Sequence, residues 1–210
     1  MELTWYGLSC FRITERKQTT IITDPYNGAL GLPPLKIKGD VVTVSHDAQG
    51  HNHTQAVSGL QHVLDGPGEY EIGGAFITGI ATANEAKSNR NVLYLFDYDG
   101  LTIAHLGDMT TVPAQTQIEP LEQVHILLVP VGGGKSLNAA QAAELISMLE
   151  PNIVIPMHYK LPGLTLDLET VDRFLKEMGV VEPKQEETLK ISLSNLPEET
   201  EIVLLNPKFE

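Results

Sequence analysis

The chain has 210 residues, 42% of them hydrophobic, enough for one mid-sized domain with a substantial core. Lys and Arg number 14 against 27 Asp and Glu, a formal charge of −13, and no basic cluster offsets it, so a nucleic-acid partner is not expected. No apolar run is long enough to span a membrane, the start MELTWYGLSCFRITERK has no basic-then-apolar leader pattern, and the single cysteine, Cys10, excludes an intrachain disulfide, so a soluble cytoplasmic protein without a membrane partner is expected.

The first half alternates β-type runs with turns. LTWYGLSCFRI (3–13), TTIITDP (19–25), DVVTVSH (40–46) and GAFITGIAT (74–82) are rich in β-branched and aromatic residues. NVLYLFDYDGLTIAHLGD (91–108) reads as a hairpin, with Asp99-Gly100 as its tight turn. HILLVPVGGG (125–134) is a buried strand ending in glycines. A helix follows in NAAQAAELISMLEP, where Ala139, Ala142, Ala143, Ile146 and Leu149 keep helical spacing and Pro151 stops the run. NIVIPMHY (152–159) returns as a strand, and Val171, Phe174, Leu175 and Met178 mark a second helix closed by Gly179. TLKISL (188–193) and TEIVLLN (200–206) end the chain as strands. The order argues for an α/β sandwich in which helices pack outside sheets.

One feature recurs: an apolar strand ends and a metal-type ligand follows. IIT delivers Asp24, VTVS delivers His46, LTIAHLG delivers Asp108 and IVIPM delivers His158. Carboxyl ends of strands in layered α/β folds open onto a common crevice, and His and Asp suit a hard or borderline cation. Singly, each has a plainer reading as a turn, cap or core residue; the repetition is the signal.

The segments TDPY, VTVSH before a histidine-rich loop, GPGEYEIGG, HLGD, LLVPVGGG and VIPMHYK, in this order, resemble the metallo-β-lactamase superfamily. They are most similar to its small metal-dependent hydrolase branch, related to the L-ascorbate-6-phosphate lactonases. The resemblance covers nearly the whole chain. It implies one domain over 1–210 with an α/β, four-layer αββα metallo-β-lactamase sandwich. It also implies a site on His46, His51, Asp108 and His158, with Asp108 as the shared, catalytic aspartate and Asp24 as a buttress. The family's His-x-His-x-Asp-His motif is incomplete here: its second His falls on Ala48, its Asp on Gly50, and the mid-chain His on Asn84.

Two ligands remain at the first metal position, His46 and Asp108. Three remain at the second, His51, Asp108 and His158, the usual protein-ligand count of a catalytic zinc. At most one ion, zinc or manganese, is therefore expected, at the second position, and the metal-free chain is the other outcome. The residue at Gly50 would also orient water, so its loss costs roughly 10²–10⁴-fold in rate. His53, Asp47, Glu85, Glu69 and Glu71 are the neighbours available as substitutes, with solvent exposure as the plainer reading. His105 is expected beside the ligands or in the core, and His62 and His125 on the surface or in a sheet.

LVPVGGGKS lacks P-loop spacing, although its glycines, Lys135 and Ser136 suit an anion; simple turn chemistry also accounts for them. Two readings stay open. One is a mononuclear hydrolase of a small ester, lactone or phosphodiester; the other is a non-catalytic, metal-free homologue serving as a small-anion-binding or assembly module. A nuclease fits poorly with the charge. The expected partner is a small, anionic molecule, and homo-oligomerisation stays open.

Overall fold

The computed structural model describes residues 1–82, 91–113, 121 and 123–209. Its first half contains β1 (Glu2–Trp5), β2 (Phe11–Thr14), β3 (Ile21–Thr23), β4 (Ile37–Lys38), β5 (Val41–Thr43), β6 (Val57–Ser58) and β7 (His62–Leu64). The 3–13 run is not continuous: Gly7 and Leu8 take φ of +99° and +50°, so the chain reverses and β1 pairs antiparallel with β2. β2 pairs antiparallel with β3, and β3, β5 and β7 then run parallel, while β4 and β6 form a separate parallel pair.

The second half begins with β8 (Gly68–Ile72), β9 (Ala75–Thr82), β10 (Asn91–Tyr98) and β11 (Leu101–His105), all antiparallel. The expected hairpin is present, with Asp99 at φ +53° and Gly100 at φ +87° making the two-residue turn that matches strand twist. GPGEYEIGG is mostly strand, and β8 pairs with β9 along its length. Then come β12 (Ile126–Pro130), α1 (Ala139–Leu149), β13 (Ile153–Met157), α2 (Val171–Glu177), β14 (Lys184–Glu186), β15 (Leu189–Lys190) and β16 (Glu201–Leu205). Asn138 caps α1 by a reciprocal capping box with Gln141. Leu145, rather than the half-buried Ala143, completes its buried face.

The strands form a six-stranded sheet, β15-β1-β2-β3-β5-β7, and an eight-stranded sheet, β14-β16-β13-β12-β11-β10-β9-β8. The tail therefore divides: β16 extends the second sheet, whereas β15 crosses to pair with β1. Residue 191 returns to loop and Leu193 opens a 3₁₀ turn, so the strand expected over 188–193 is cut to two residues. Trp5, Phe11, Tyr94 and Phe96 are essentially fully buried within the core. Among the described residues no helix is long and apolar enough to cross a membrane.

The topology positions the chemistry. β3 and β5 are parallel neighbours in one sheet, and β11, β12 and β13 are parallel neighbours in the other. Their carboxyl ends carry Asp24, His46, Asp108, Ser136 and His158 toward the same end of the sandwich.

Candidate metal centre

Asp24, immediately after β3, is 1% exposed and adopts a positive φ of 37°, a conformation few non-glycine residues occupy outside functional or tightly constrained sites. One carboxylate oxygen accepts from the Ser45 amide at 2.7 Å; the other accepts from Ser45 Oγ at 2.6 Å and from His51 Nδ1 at 2.8 Å. Burial disfavours the Asp24 charge, but His51 and Ser45 outweigh it and hold the carboxyl below its ordinary range. Burial likewise opposes a charged His51, yet Asp24 raises that imidazole above its usual value.

Hydrogen-bond accounting sets the histidine tautomers. Ser45 gives its single hydroxyl proton to Asp24, so its contact with His46 Nδ1 at 3.1 Å has the ring donating. Ser136 donates to Asp108 Oδ1, so its 2.8 Å contact with His158 Nδ1 likewise has the ring donating. His51 donates through Nδ1 to Asp24. All three neutral rings thus keep the lone pair on Nε2, the arrangement in which a histidine oriented through one nitrogen ligates through the other.

The rings are contiguous. His46 and His51 centroids lie 4.2 Å apart and those of His51 and His158 5.3 Å apart. His46 Nε2 is 3.7 Å from Asp108 Oδ2. Burial disfavours a charged Asp108, but His158, His51, Ser136 and His46 keep its carboxyl below the ordinary range. Burial, and secondarily the His51 ring, lowers His46, while burial takes His158 down to about 4.

Asp108 is fixed through its backbone. Its amide donates to Asn91 Oδ1 at 2.8 Å, and Asn91 Nδ2 donates to the Leu106 carbonyl at 2.9 Å. Between them Gly107 turns at φ +61°, where an added Cβ would overlap Asn91 Oδ1 and Ser45 Cβ. His158 also has a positive φ, 52°, and its amide donates to the Leu8 carbonyl at 3.1 Å. The turn that interrupts the first β run therefore anchors the last histidine of the site.

Ligand atoms of His46, His51 and Asp108 all lie within 4.8 Å of one another. All three are among the four expected ligands. The single ion was expected on His51, Asp108 and His158; the tight group has His46 in place of His158, which stands beside it with its Nδ1 on Ser136 and its Nε2 lone pair free of that contact. These residues line one cavity of about 540 Å³, with Ala48, Gly50, Asn91, Lys135 and the side chains of Leu30, Leu166 and Leu168 on its walls.

The remaining candidates separate from the centre. His53 does not line the cavity; its amide donates to the Pro25 carbonyl, and it precedes the 3₁₀ turn Thr54–Ala56. His105 is fully buried, with Nε2 donating to the Ser9 carbonyl at 2.9 Å and Nδ1 accepting from the Gly107 amide, which leaves no nitrogen for a cation. Asp47 is exposed at the cavity mouth, while Glu69 and Glu71 are exposed on β8. Asn84 and Glu85 lie outside the described residues. Sequence reading missed Ser45, Asn91 and Ser136 as the groups that orient the ligands; a polar residue immediately before the run Val92–Phe96 of β10 was the available signal for Asn91.

A family model described as a β-lactamase superfamily domain matches residues 2–158. The structure of a candidate zinc-dependent hydrolase of the metallo-β-lactamase superfamily from Thermotoga maritima superposes with a TM-score of 0.80 at 32% identity, covering 97% of each chain. The chain belongs to the metallo-β-lactamase superfamily. Within it, a UPF0173 metal-dependent hydrolase of Thermoplasma acidophilum is 25% identical over 213 residues, covering 86% of this chain and 92% of that one. A UPF0173 protein of Pyrococcus furiosus is 28% identical over 186 residues, covering 76% and 83%. The superfamily's metal-dependent hydrolase branch is thus the one that the sequence motifs resemble.

Proposed function

We propose that this chain is a mononuclear metal-dependent hydrolase of a small ester, lactone or phosphodiester. The observation that carries the reading is the convergence of His46, His51 and Asp108 within 4.8 Å on the floor of a cavity. The donor set fits a borderline divalent cation such as zinc or manganese: two neutral imidazoles and one carboxylate, each oriented by a separate protein group. An ion held there supplies Lewis acidity toward a carbonyl or phosphoryl oxygen.

The chain's own residues do the rest. Asp24 and Ser45 hold the two imidazoles, Asn91 holds the Asp108 backbone, and Ser136 joins Asp108 to His158. His158 flanks this set and serves as the reserve donor. Gly50 supplies no carboxylate to orient water, so turnover is expected to fall roughly 10²–10⁴-fold short of a chain with Asp there.

The test is metal content after loading with zinc or manganese, a melting curve with and without EDTA, and hydrolysis of a lactone and a phosphodiester. About one ion per chain, a lower Tm in EDTA and turnover abolished by Asp108→Ala support the reading. Metal below a tenth of an equivalent after loading removes it. Ala48 and Gly50 on the cavity wall favour a second reading, a metal-free module that binds a small anion or assembles with copies of itself. That reading fails if metal-dependent turnover is measured and Asp108→Ala abolishes it.

A further inference from the structure

The walls of the cavity differ from its floor. Leu30 stands on one side, with Leu166 and Leu168 from the segment after β13. That segment is tied in place: Lys160 Nζ donates to the Leu164 and Leu166 carbonyls, each at 2.7 Å. The Thr165 amide and hydroxyl both donate to the Leu30 carbonyl, at 2.8 and 3.0 Å. Four hydrogen bonds thus hold the leucine-bearing segments together before any ligand arrives, as expected of a preformed apolar subsite.

The rim is different again. After β12 the chain turns through Gly133 and Gly134, at φ +66° and +70°, and presents Lys135, exposed, at the cavity. The turn is tied to the leucine-bearing segment by the Glu169 amide, which donates to the Gly132 carbonyl at 2.8 Å. Lys135 is the one lysine or arginine among the residues lining the cavity, and among the described residues it has no ion-pair partner within 4 Å. Asp47 and Asp167 stand at the same mouth, both exposed, and repel an extended polyanion.

We propose that the cavity selects a small molecule bearing one oxyanionic group, a carboxylate or phosphate, and a short apolar arm. The oxyanion pairs with Lys135, the arm lies against Leu30, Leu166 and Leu168, and the remaining polar portion faces the His46, His51 and Asp108 floor. This assignment of substrate class rests on the hydrolase reading for what is cut, whereas its binding part is measurable without turnover.

The probes are butyl phosphate and pentanoate, with butanol as the neutral match and inorganic phosphate as the match without an arm. Binding is measured by calorimetry on the full chain after EDTA treatment, so that no ion holds the anion. Butyl phosphate and pentanoate are expected to bind more tightly than butanol, and Lys135→Met to weaken them about tenfold, the loss of one charge-assisted contact. Leu166→Ser is expected to weaken butyl phosphate while leaving inorganic phosphate unchanged.

Lys135 is exposed, so its substitution leaves the fold intact. Equal binding by wild type and Lys135→Met, butanol binding as tightly as butyl phosphate, or no binding of any probe overturns the proposal. Retained anion selectivity in a chain without metal-dependent turnover refutes the hydrolase reading alone. Turnover by the loaded enzyme without anion selectivity refutes this proposal alone.

Discussion

Ser136 Oγ lies 2.8 Å from His158 Nδ1 and gives its own proton to Asp108, so one hydroxyl orients two residues from different strands. Ser136→Ala removes both contacts and leaves the buried His158 N–H without its acceptor. Groups that orient metal ligands typically contribute 10–100-fold in affinity, so a loss of about that size is expected, with the fold retained. Competition against a chromogenic chelator measures it. Ser136→Thr keeps the hydroxyl and is expected to recover part of the loss; equal losses in both variants would show that the hydroxyl does not act through orientation.

Protonation adds a pH signature to the metal-free chain. Burial lowers His46, His105 and His158, the last to about 4. Their folded values lie below the unfolded value of about 6.5, so the unfolded chain binds protons that the folded chain refuses. Stability from these groups is complete above about pH 6.5 and falls as the pH drops through the window toward about pH 4. His51 works in the opposite direction: Asp24 raises its value, so its contribution is complete below the unfolded value and is lost as pH rises through the folded one. Three groups against one predict net acid destabilisation. Urea denaturation of EDTA-treated protein between pH 7 and pH 4.5 measures it, and His158→Gln is expected to flatten the slope.

Asp24 favours the doubly protonated form of His51, whose Nε2 proton has to leave before a cation takes that nitrogen, while the Nδ1 proton stays in its hydrogen bond to Asp24. Metal uptake is therefore expected to release protons and to weaken as the pH falls. Asp24→Asn removes the charge that raises His51 and is expected to reduce this pH dependence while lowering affinity. Calorimetry in two buffers of different ionisation enthalpy counts the protons; an unchanged proton count in Asp24→Asn would sever the link between Asp24 and His51.

Much of this centre was legible in the sequence, for a physical reason. Parallel strands end on one edge, so Asp24, His46, Asp108 and His158, each following an apolar run, were brought together by topology that the runs already imply. Which histidines form the tight set was not legible. That depends on ring orientation, fixed by the hydroxyls of Ser45 and Ser136, and a serine after a strand has no periodicity to betray it. The turn at Gly7 and Leu8 was hidden inside a β-rich composition, although it supplies the carbonyl that holds His158. Asn91 was hidden because its work depends on a partner 17 positions away, Asp108.

Gly107 provides a test of the backbone clamp. At φ +61° an alanine is strained, and its Cβ would collide with the Asn91 amide and Ser45. Gly107→Ala is expected to displace Asp108 and to lower stability by about 1–3 kcal/mol, with metal binding lost. Urea denaturation and metal titration report the two effects separately. Wild-type metal affinity in this variant would show that Asp108 does not depend on the Asn91 contact.

Gly50 offers the opposite experiment. It is buried beside the donors, yet its backbone does not require glycine, because its φ is not among the positive values. A Cβ there would meet only Leu30 Cδ1 at 3.6 Å and Leu8 Cδ1 at 3.8 Å, ordinary contact distances. Gly50→Asp is therefore accommodated, and it restores a carboxylate to the cavity that can orient water. Its expected gain in hydrolysis is about 10²–10⁴-fold over wild type at equal metal loading. Adding Ala48→His and, at the position that the family resemblance assigns to the mid-chain histidine, Asn84→His is expected to raise occupancy from about one ion to about two, because the resemblance then gives both metal positions their usual donors. Elemental analysis and lactone hydrolysis on the same preparations read both outcomes. If Gly50→Asp binds metal normally but gains no activity, the attacking water is not limited by that carboxylate, and the cavity's role shifts to binding.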